Sequence, residues 1–147
     1  MKVLVAFDGA DHSILALDEA ARLAAAEGAE ITVLSVVQPD ARGSKSGGHA
    51  GRPPHADLDI GLAQMYLRER GIEVATKLSH GTPAEEIVNE ARLGDFDLIV
   101  VGTRELGSVG RVLGSVSRKV VHDAPCAVVV VGKTGTKRIE PAASATT

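Results

Sequence analysis

Short apolar runs rich in Val recur along the chain, and each ends at or near a Gly, Pro or Asp. They span residues 3–7, 31–37, 98–101 and 127–131. A strand covered by helices on both faces reads as a nearly continuous apolar run, whereas a half-exposed strand alternates apolar and polar residues. The four runs therefore predict buried strands of a parallel sheet. The alternating segment 72–78 predicts a half-exposed strand at the sheet edge.

Helical segments separate these runs. The clearest start is at Thr82, a predicted N-cap, because Pro83 follows at the first helical position and Glu85 completes a capping box. The other helices are predicted after a cap at Asp11, over 56–70 and over 115–122. Strand and helix alternate, which predicts an α/β fold: a three-layer, Rossmann-like open parallel sheet of five strands with four helices on its two faces.

The helix over 56–70 carries three large apolar residues at helical spacing. They are Leu58, Leu62 and Met65, and Gly71 follows as a stop signal. Residues that recur at this spacing share one side of a helix. The helix is therefore predicted to carry one apolar stripe.

Composition excludes several classes of function. The net charge of −3 leaves no basic surface for nucleic acid, and the chain has only two Phe and one Tyr to stack on bases. Its apolar runs are far shorter than the roughly 20 residues that cross a bilayer. No signal peptide opens the sequence and the single cysteine cannot form an internal disulfide, so a cytoplasmic protein is expected.

Two predicted strand ends carry polar or glycine-rich chemistry. Asp8 ends the first strand, and Gly102 begins a glycine-rich stretch that leads to a helix start at Gly114. Backbone N–H groups at such a helix start favour an anion, which suggests a phosphate site; ordinary turns would use the same glycines, and both interpretations stay open. No Walker lysine follows, so rapid phosphoryl transfer is not predicted and no catalytic residue is assigned.

Other reactive side chains receive structural interpretations. His49 and His55 match no zinc spacing, and no metal site is predicted. Cys126 is expected to pack in the core instead of acting as a nucleophile. His12 and His122 are expected to be solvated residues at helix ends.

Several motifs in order along the chain resemble those of universal stress proteins. They are the opening Lys2 to Gly9 with Ser13, the turn Gly102-Thr103-Arg104, Gly114-Ser115-Val116-Ser117, and Ala124-Pro125-Cys126. The resemblance implies strand order 3-2-1-4-5, with the reversal between strands 1 and 4, so that Asp8 and Gly102 would meet at one crevice. It implies a universal stress protein domain over 1–132, which leaves 133–147 as a flexible tail.

Nucleotide-binding members of that family hold ATP or AMP, in some cases with Mg²⁺, and the resemblance assigns roles to residues of this chain. Asp8 would accept hydrogen bonds from the ribose, Val36 would lie against the base, and Ala6 and Phe7 would flank the base through backbone groups. The remaining implied nucleotide contacts are Val101, Gly102, Arg104, Gly114, Ser115, Val116 and Ser117. The implied function is a stress-response protein that binds an adenine nucleotide, with at most slow ATP hydrolysis.

The loop departs from the family pattern Gly-x2-Gly-x9-Gly-Ser/Thr. Glu105 stands where the second glycine belongs, and Gly114 comes one residue early. A carboxylate about 5 Å from a phosphate oxygen costs roughly 3 kcal/mol at an effective dielectric near 20, or about a hundredfold in affinity. The alternative is therefore a family member that binds no nucleotide and acts as a dimeric interaction module.

The implied strand order also suggests a partner. It places Ala127 to Val131 at the sheet edge, where unpaired backbone groups would be exposed. Pairing of this strand with its copy in a second subunit would remove the edge under two-fold symmetry. A homodimer through the last strand is therefore predicted.

Overall fold

The computed structural model describes residues 1–39, 56–104 and 114–141. In chain order the elements are β1 (Lys2–Ala6), α1 (Asp11–Glu27), β2 (Glu30–Val37), α2 (Ala56–Arg68), β3 (Val74–His80), α3 (Pro83–Leu93), β4 (Leu98–Gly102), α4 (Ser115–Asp123), β5 (Ala127–Gly132) and β6 (Gly135–Ile139). Each predicted strand and helix has a counterpart with ends displaced by at most a few residues. The predicted α/β class is confirmed.

All six strands form one sheet in the order β3-β2-β1-β4-β5-β6. Strands β1 to β5 are parallel, as predicted, and the order reverses between β1 and β4. The half-exposed strand β3 lies at one edge of the sheet, also as predicted. Since the carboxyl ends of parallel strands point the same way, β1, β2 and β4 end on one side of the molecule.

The sixth strand, β6, corrects the prediction of a five-stranded sheet. It lies within the predicted tail and pairs antiparallel with β5 from Val128 opposite Ile139 to Gly132 opposite Gly135. Gly135 has φ of +156°, a conformation that favours glycine and lets the chain reverse there. Ile139 packs against the core, and the pairing satisfies backbone groups that β5 would otherwise expose. The prediction that Ala127 to Val131 forms the sheet edge is therefore wrong, because β5 is paired on both sides.

Alternate residues of the strands enter two separate cores. Val3 and Val5 of β1 point towards α1 and α2, while Leu4 between them points towards α3 and α4. All three are fully buried. This arrangement explains why the central strands read as continuous apolar runs, since each successive side chain needs an apolar environment.

The buried face of α2 is not formed by its stripe of large apolar residues. Leu58, Leu62 and Met65 are 63%, 58% and 50% exposed, whereas Ala63 and Leu67 are fully buried. The small side chain of Ala63 lets the helix backbone approach the sheet closely, and Leu67 fills the space beside it. The stripe of large apolar residues named from the sequence is therefore not the buried face of α2.

Helix starts also deviate from the predicted caps. Ala10 is the N-cap of α1, and Asp11 is the first helical residue. Thr82 is the N-cap of α3, as predicted, but its side chain makes no capping hydrogen bond, so the predicted capping box is absent. None of the described helices is long and apolar enough to cross a membrane.

Candidate functional site

A cavity of about 250 Å³ opens where strand order reverses, beyond the carboxyl ends of β1, β2 and β4. In open α/β sheets this is the position at which ligands bind. The residues that line the cavity are Ala6, Phe7, Asp8, His12, Ser13, Leu34, Val36, Gln38, Pro83, Ile87, Val101, Gly102 and Val116.

The cavity brings together most of the residues assigned from the sequence. Those that line it are Ala6, Phe7, Asp8, Val36, Val101, Gly102 and Val116. Asp8 and Gly102 thus share one crevice, although 94 positions separate them in the sequence (102 − 8). The assigned residues outside the lining are Arg104, Gly114, Ser115 and Ser117. Glu105, like Gly107 and Gly110, lies outside the described residues.

The loop between β1 and α1 is held by a local hydrogen-bond network around Asp8. Its Oδ1 accepts from the N–H of Ala10 at 2.9 Å, and its own N–H donates to Ser13 Oγ at 3.3 Å. Ser13 Oγ in turn donates to the Ala10 carbonyl at 2.9 Å. With Oδ1 engaged in the turn, Oδ2 faces His12, whose Nε2 is 3.9 Å away. The Asp8 carboxylate is 67% exposed and the His12 ring 20%.

The backbone of Phe7 is already engaged by β2. Its N–H donates to the Leu34 carbonyl at 2.9 Å, and its carbonyl accepts from the buried Ser35 Oγ at 2.6 Å. The resemblance assigned Phe7 to flank a base through backbone groups. In the structure both groups bind the neighbouring strand, and Phe7 also lines the cavity.

Gly102 lies against the first turn of α1. A β-carbon at this position would lie 2.0 Å from the carbonyl oxygen of His12 and 2.5 Å from its carbonyl carbon. Real β-carbons do not approach backbone atoms so closely. The glycine therefore allows the end of β4 and the start of α1 to pack in direct contact, whether or not a ligand is present.

Both ends of the segment between β4 and α4 are tied together by buried hydroxyl groups. Thr103 donates its N–H to the Val131 carbonyl at 2.9 Å, and its Oγ1 accepts from the N–H of Gly114 at 3.3 Å. Ser117 Oγ donates to the Gly114 carbonyl at 3.3 Å. The N–H of Gly114, a residue that the resemblance assigns to the nucleotide, is therefore engaged by protein, while Ser115 is exposed at the start of α4.

The sequence did not identify several residues that line the cavity. They are His12, Ser13, Leu34, Gln38, Pro83 and Ile87. His12 was expected in solvent, yet it lines the cavity. Because Gly102 has no β-carbon, the first turn of α1 can pack directly against the end of β4. The available signal was positional for four of them: Gln38 follows the end of β2, and His12, Ser13 and Pro83 lie in the first turn of a helix that follows a strand, positions that converge in a parallel sheet. Leu34 lies within β2 and Ile87 in the second turn of α3, and no such signal marked them.

Cys126 is not among the described residues that line this cavity. Burial, with a smaller contribution from Asp97, raises the pKa of the half-buried Cys126 thiol to about 11. The described residues hold no group of three or more His, Cys, Asp or Glu side chains that could bind a metal ion. His49 and His55 lie outside the described part of the chain.

The fold and the site together define a doubly wound α/β protein with a cavity at its topological switch point. The family model described as "Universal stress protein family" matches residues 1–132. The universal stress protein YxiE of Bacillus subtilis is 36% identical over 144 residues, covering 88% of this chain and 97% of the relative. The chain belongs to the universal stress protein family.

Solved structures show the same similarity. A universal stress protein crystallised in complex with cAMP superposes with a TM-score of 0.69 at 27% identity, covering 89% of this chain and 96% of its own. The universal stress protein from Archaeoglobus fulgidus in complex with dAMP gives a TM-score of 0.67 at 25% identity, covering 89% and 97%.

Proposed function

We propose that this protein is a cytoplasmic stress-response protein that binds an adenine nucleotide, AMP or ATP, in the cavity at the ends of β1, β2 and β4. The observation that carries the proposal is the convergence of Asp8, Val36 and Gly102 on that one cavity. The ligands named for the two solved relatives, cAMP and dAMP, both contain adenine and a sugar with one free hydroxyl group.

The lining of the cavity matches the two halves of a nucleoside. Leu34, Val36 and Ile87 supply an apolar wall suited to a flat base, and Gln38 at the end of β2 adds an amide near it. Asp8 and His12 supply polar groups suited to a sugar. A volume of about 250 Å³ lies just below the roughly 300–1,000 Å³ usual for small-molecule sites, which favours a mononucleotide whose phosphates extend beyond the cavity.

The phosphates would extend towards the start of α4. Val116, in the first turn of this helix, lines the cavity, and a helix N-terminus favours negative charge. None of the described residues that line the cavity is a lysine that could stabilise a phosphoryl transition state. Binding with at most slow hydrolysis is therefore the proposed activity, and Mg²⁺ would serve only to neutralise phosphate charge.

Calorimetric titration with AMP, ADP and ATP, each with and without Mg²⁺, tests the proposal. Binding of at least one nucleotide is expected, and Asp8→Asn should weaken it about tenfold or more, because the amide no longer offers an acceptor at Oδ2. The asparagine oxygen still accepts from the N–H of Ala10, so the turn is preserved. The matched control is Asp11→Asn, an exposed acid outside the cavity lining, which should bind within about twofold of the parent.

The competing function is a dimeric interaction module without nucleotide. An absence of binding heat with all three nucleotides, together with no nucleotide released from the purified protein in mass spectrometry, would favour this function. A homodimer remains a prediction under either function. The predicted dimer contact was pairing of β5 with its copy in a second subunit. In this fold β6 already pairs with that side of β5 from Val128 to Gly132.

A further inference from the structure

Asp8 and His12 form a polar pair at the wall of the cavity that the loop network alone does not explain. Asp8 Oδ2 and His12 Nε2 are 3.9 Å apart, beyond the roughly 2.7–3.2 Å of a hydrogen bond between them. Oδ1 of the same carboxylate already accepts from Ala10. The two facing atoms are thus close and chemically complementary, but they are not in direct contact.

The gap between them has the size of one oxygen atom. If an oxygen atom lay about 2.8 Å from both Oδ2 and Nε2, the Oδ2–O–Nε2 angle would be roughly 90°, which hydrogen-bond geometry allows. With the imidazole proton on Nε2, the bridging group must donate to the carboxylate and accept from the imidazole N–H. A hydroxyl group does both, whereas a phosphate oxygen only accepts and would be repelled by Asp8, and an amino group on adenine only donates.

The position of His12 is fixed by packing. Its carbonyl oxygen lies against Gly102, where even a β-carbon would not fit, and its ring is only 20% exposed. The residue therefore has little freedom to move away from Asp8. A fixed donor beside a fixed acceptor recognises a hydroxyl group with less loss of side-chain entropy than two mobile groups would.

We propose that Asp8 and His12 together recognise one hydroxyl group of the ribose, and that His12 is a residue that determines sugar specificity. This inference rests on the proposed nucleotide function and extends it to the choice of sugar. A nucleotide without that hydroxyl group leaves the pair unbridged. Because Asp8 is 67% exposed and water partly replaces the lost bond, the expected discrimination is about tenfold, less than a fully buried site would give.

The test compares the affinities of AMP, 2′-deoxy-AMP and 3′-deoxy-AMP by calorimetry. The parent protein should bind AMP about tenfold more tightly than one of the two deoxy analogues. His12→Phe, which keeps a ring but no N–H, should reduce that preference to within about twofold. His12→Gln, which restores a donor, should recover part of it, and the control His122→Phe, at an exposed site on α4, should behave as the parent does.

The ratio of affinities separates specificity from folding. If His12→Phe weakened all three ligands equally and kept the parent's preference, His12 would be only structural and the inference would be overturned. Equal binding of AMP and both deoxy analogues by the parent would overturn it as well, while leaving the proposed nucleotide function intact. A parent protein that binds no AMP would refute both.

Discussion

The carbonyl oxygen of His12 occupies the space where residue 102 would carry a β-carbon, 2.0 Å from that position. This contact joins the end of β4 to the first turn of α1 across the point where strand order reverses. It also places His12 beside Asp8 in the wall of the cavity. One backbone contact therefore determines both the packing of α1 and the arrangement of polar groups in the site.

Substitution of Gly102 by Ala should destabilise the protein. The added methyl group meets backbone atoms, which cannot rotate away, so α1 or β4 must shift; such overpacking costs about 1–3 kcal/mol. Urea unfolding measures the change. The shift should also move His12, so nucleotide affinity should fall in the same variant.

Gly61→Ala provides the matched control. Gly61 lies in the exposed part of α2, and a β-carbon there would meet no atom within 4 Å. The substitution should raise the free energy of unfolding by about 0.5–1 kcal/mol, since Ala favours a helix interior over Gly. If Gly102→Ala unfolded at the same urea concentration as the parent, the contact with His12 would be too loose to position α1.

Much of the site was predictable because it depends on topology. Val-rich runs identified the buried strands, and the strand order implied by the family resemblance brought Asp8 and Gly102 to one crevice. The reason for Gly102 was not predictable, since the sequence suggested a loop glycine near phosphate and the structure shows a close approach to His12. The inward position of His12 follows from that contact, which no local pattern encodes.

The face of α2 that is buried could not be predicted for a related reason. Two stripes at helical spacing compete: Leu58, Leu62 and Met65 on one side, and Ala63 with Leu67 on the other. Hydrophobicity alone favours the first stripe, because its residues are larger. The closeness of α2 to the sheet selects the second, and that distance is a property of the whole fold.

Alanine substitutions should distinguish these two faces. Leu67→Ala leaves a cavity in a fully buried site and should cost about 2–5 kcal/mol in the free energy of unfolding. Leu62→Ala removes a side chain that is 58% exposed and should change stability by about 0.5 kcal/mol or less. Chemical denaturation of both variants measures the difference. Equal losses would mean that Leu62 is covered in solution.

Cys126 should react slowly with thiol reagents in the folded protein. Burial, and to a lesser degree Asp97, raises the pKa of its thiol from the ordinary value of 9.0 to about 11, so about one molecule in a thousand carries the thiolate at pH 8. A disulfide reagent should therefore modify unfolded protein roughly a hundredfold faster than native protein. Comparable rates in the two states would contradict the burial of this thiol.

The same pKa shift predicts a dependence of stability on pH. Because the folded state keeps a proton that the unfolded chain loses near pH 9, the contribution of Cys126 to stability is complete below that pH. It should decline as the pH rises towards about 11. Cys126→Ser unfolding curves over this range provide the comparison, and the parent should lose more stability than the variant does.

Removal of β6 should create the exposed edge that the sequence predicted for β5. Without residues 133–147, backbone groups from Val128 to Gly132 lose their antiparallel partners, and the five consecutive residues of that edge carry no charge. Such an edge pairs readily with a second copy of itself. In the full chain the outermost strand instead presents Lys137 and Arg138, both exposed, which oppose pairing between copies.

Size-exclusion chromatography with light scattering at micromolar concentration should show that the shortened chain associates more strongly than the full chain. A chain that ends at residue 141 keeps β6 and serves as the control; it should behave as the full chain does. If the chain without β6 showed the same mass as the control, β6 would not be what covers the edge of β5. If only the shorter chain associated more strongly, β6 would be shown to cover the edge of β5. A strand from a second subunit would otherwise pair there.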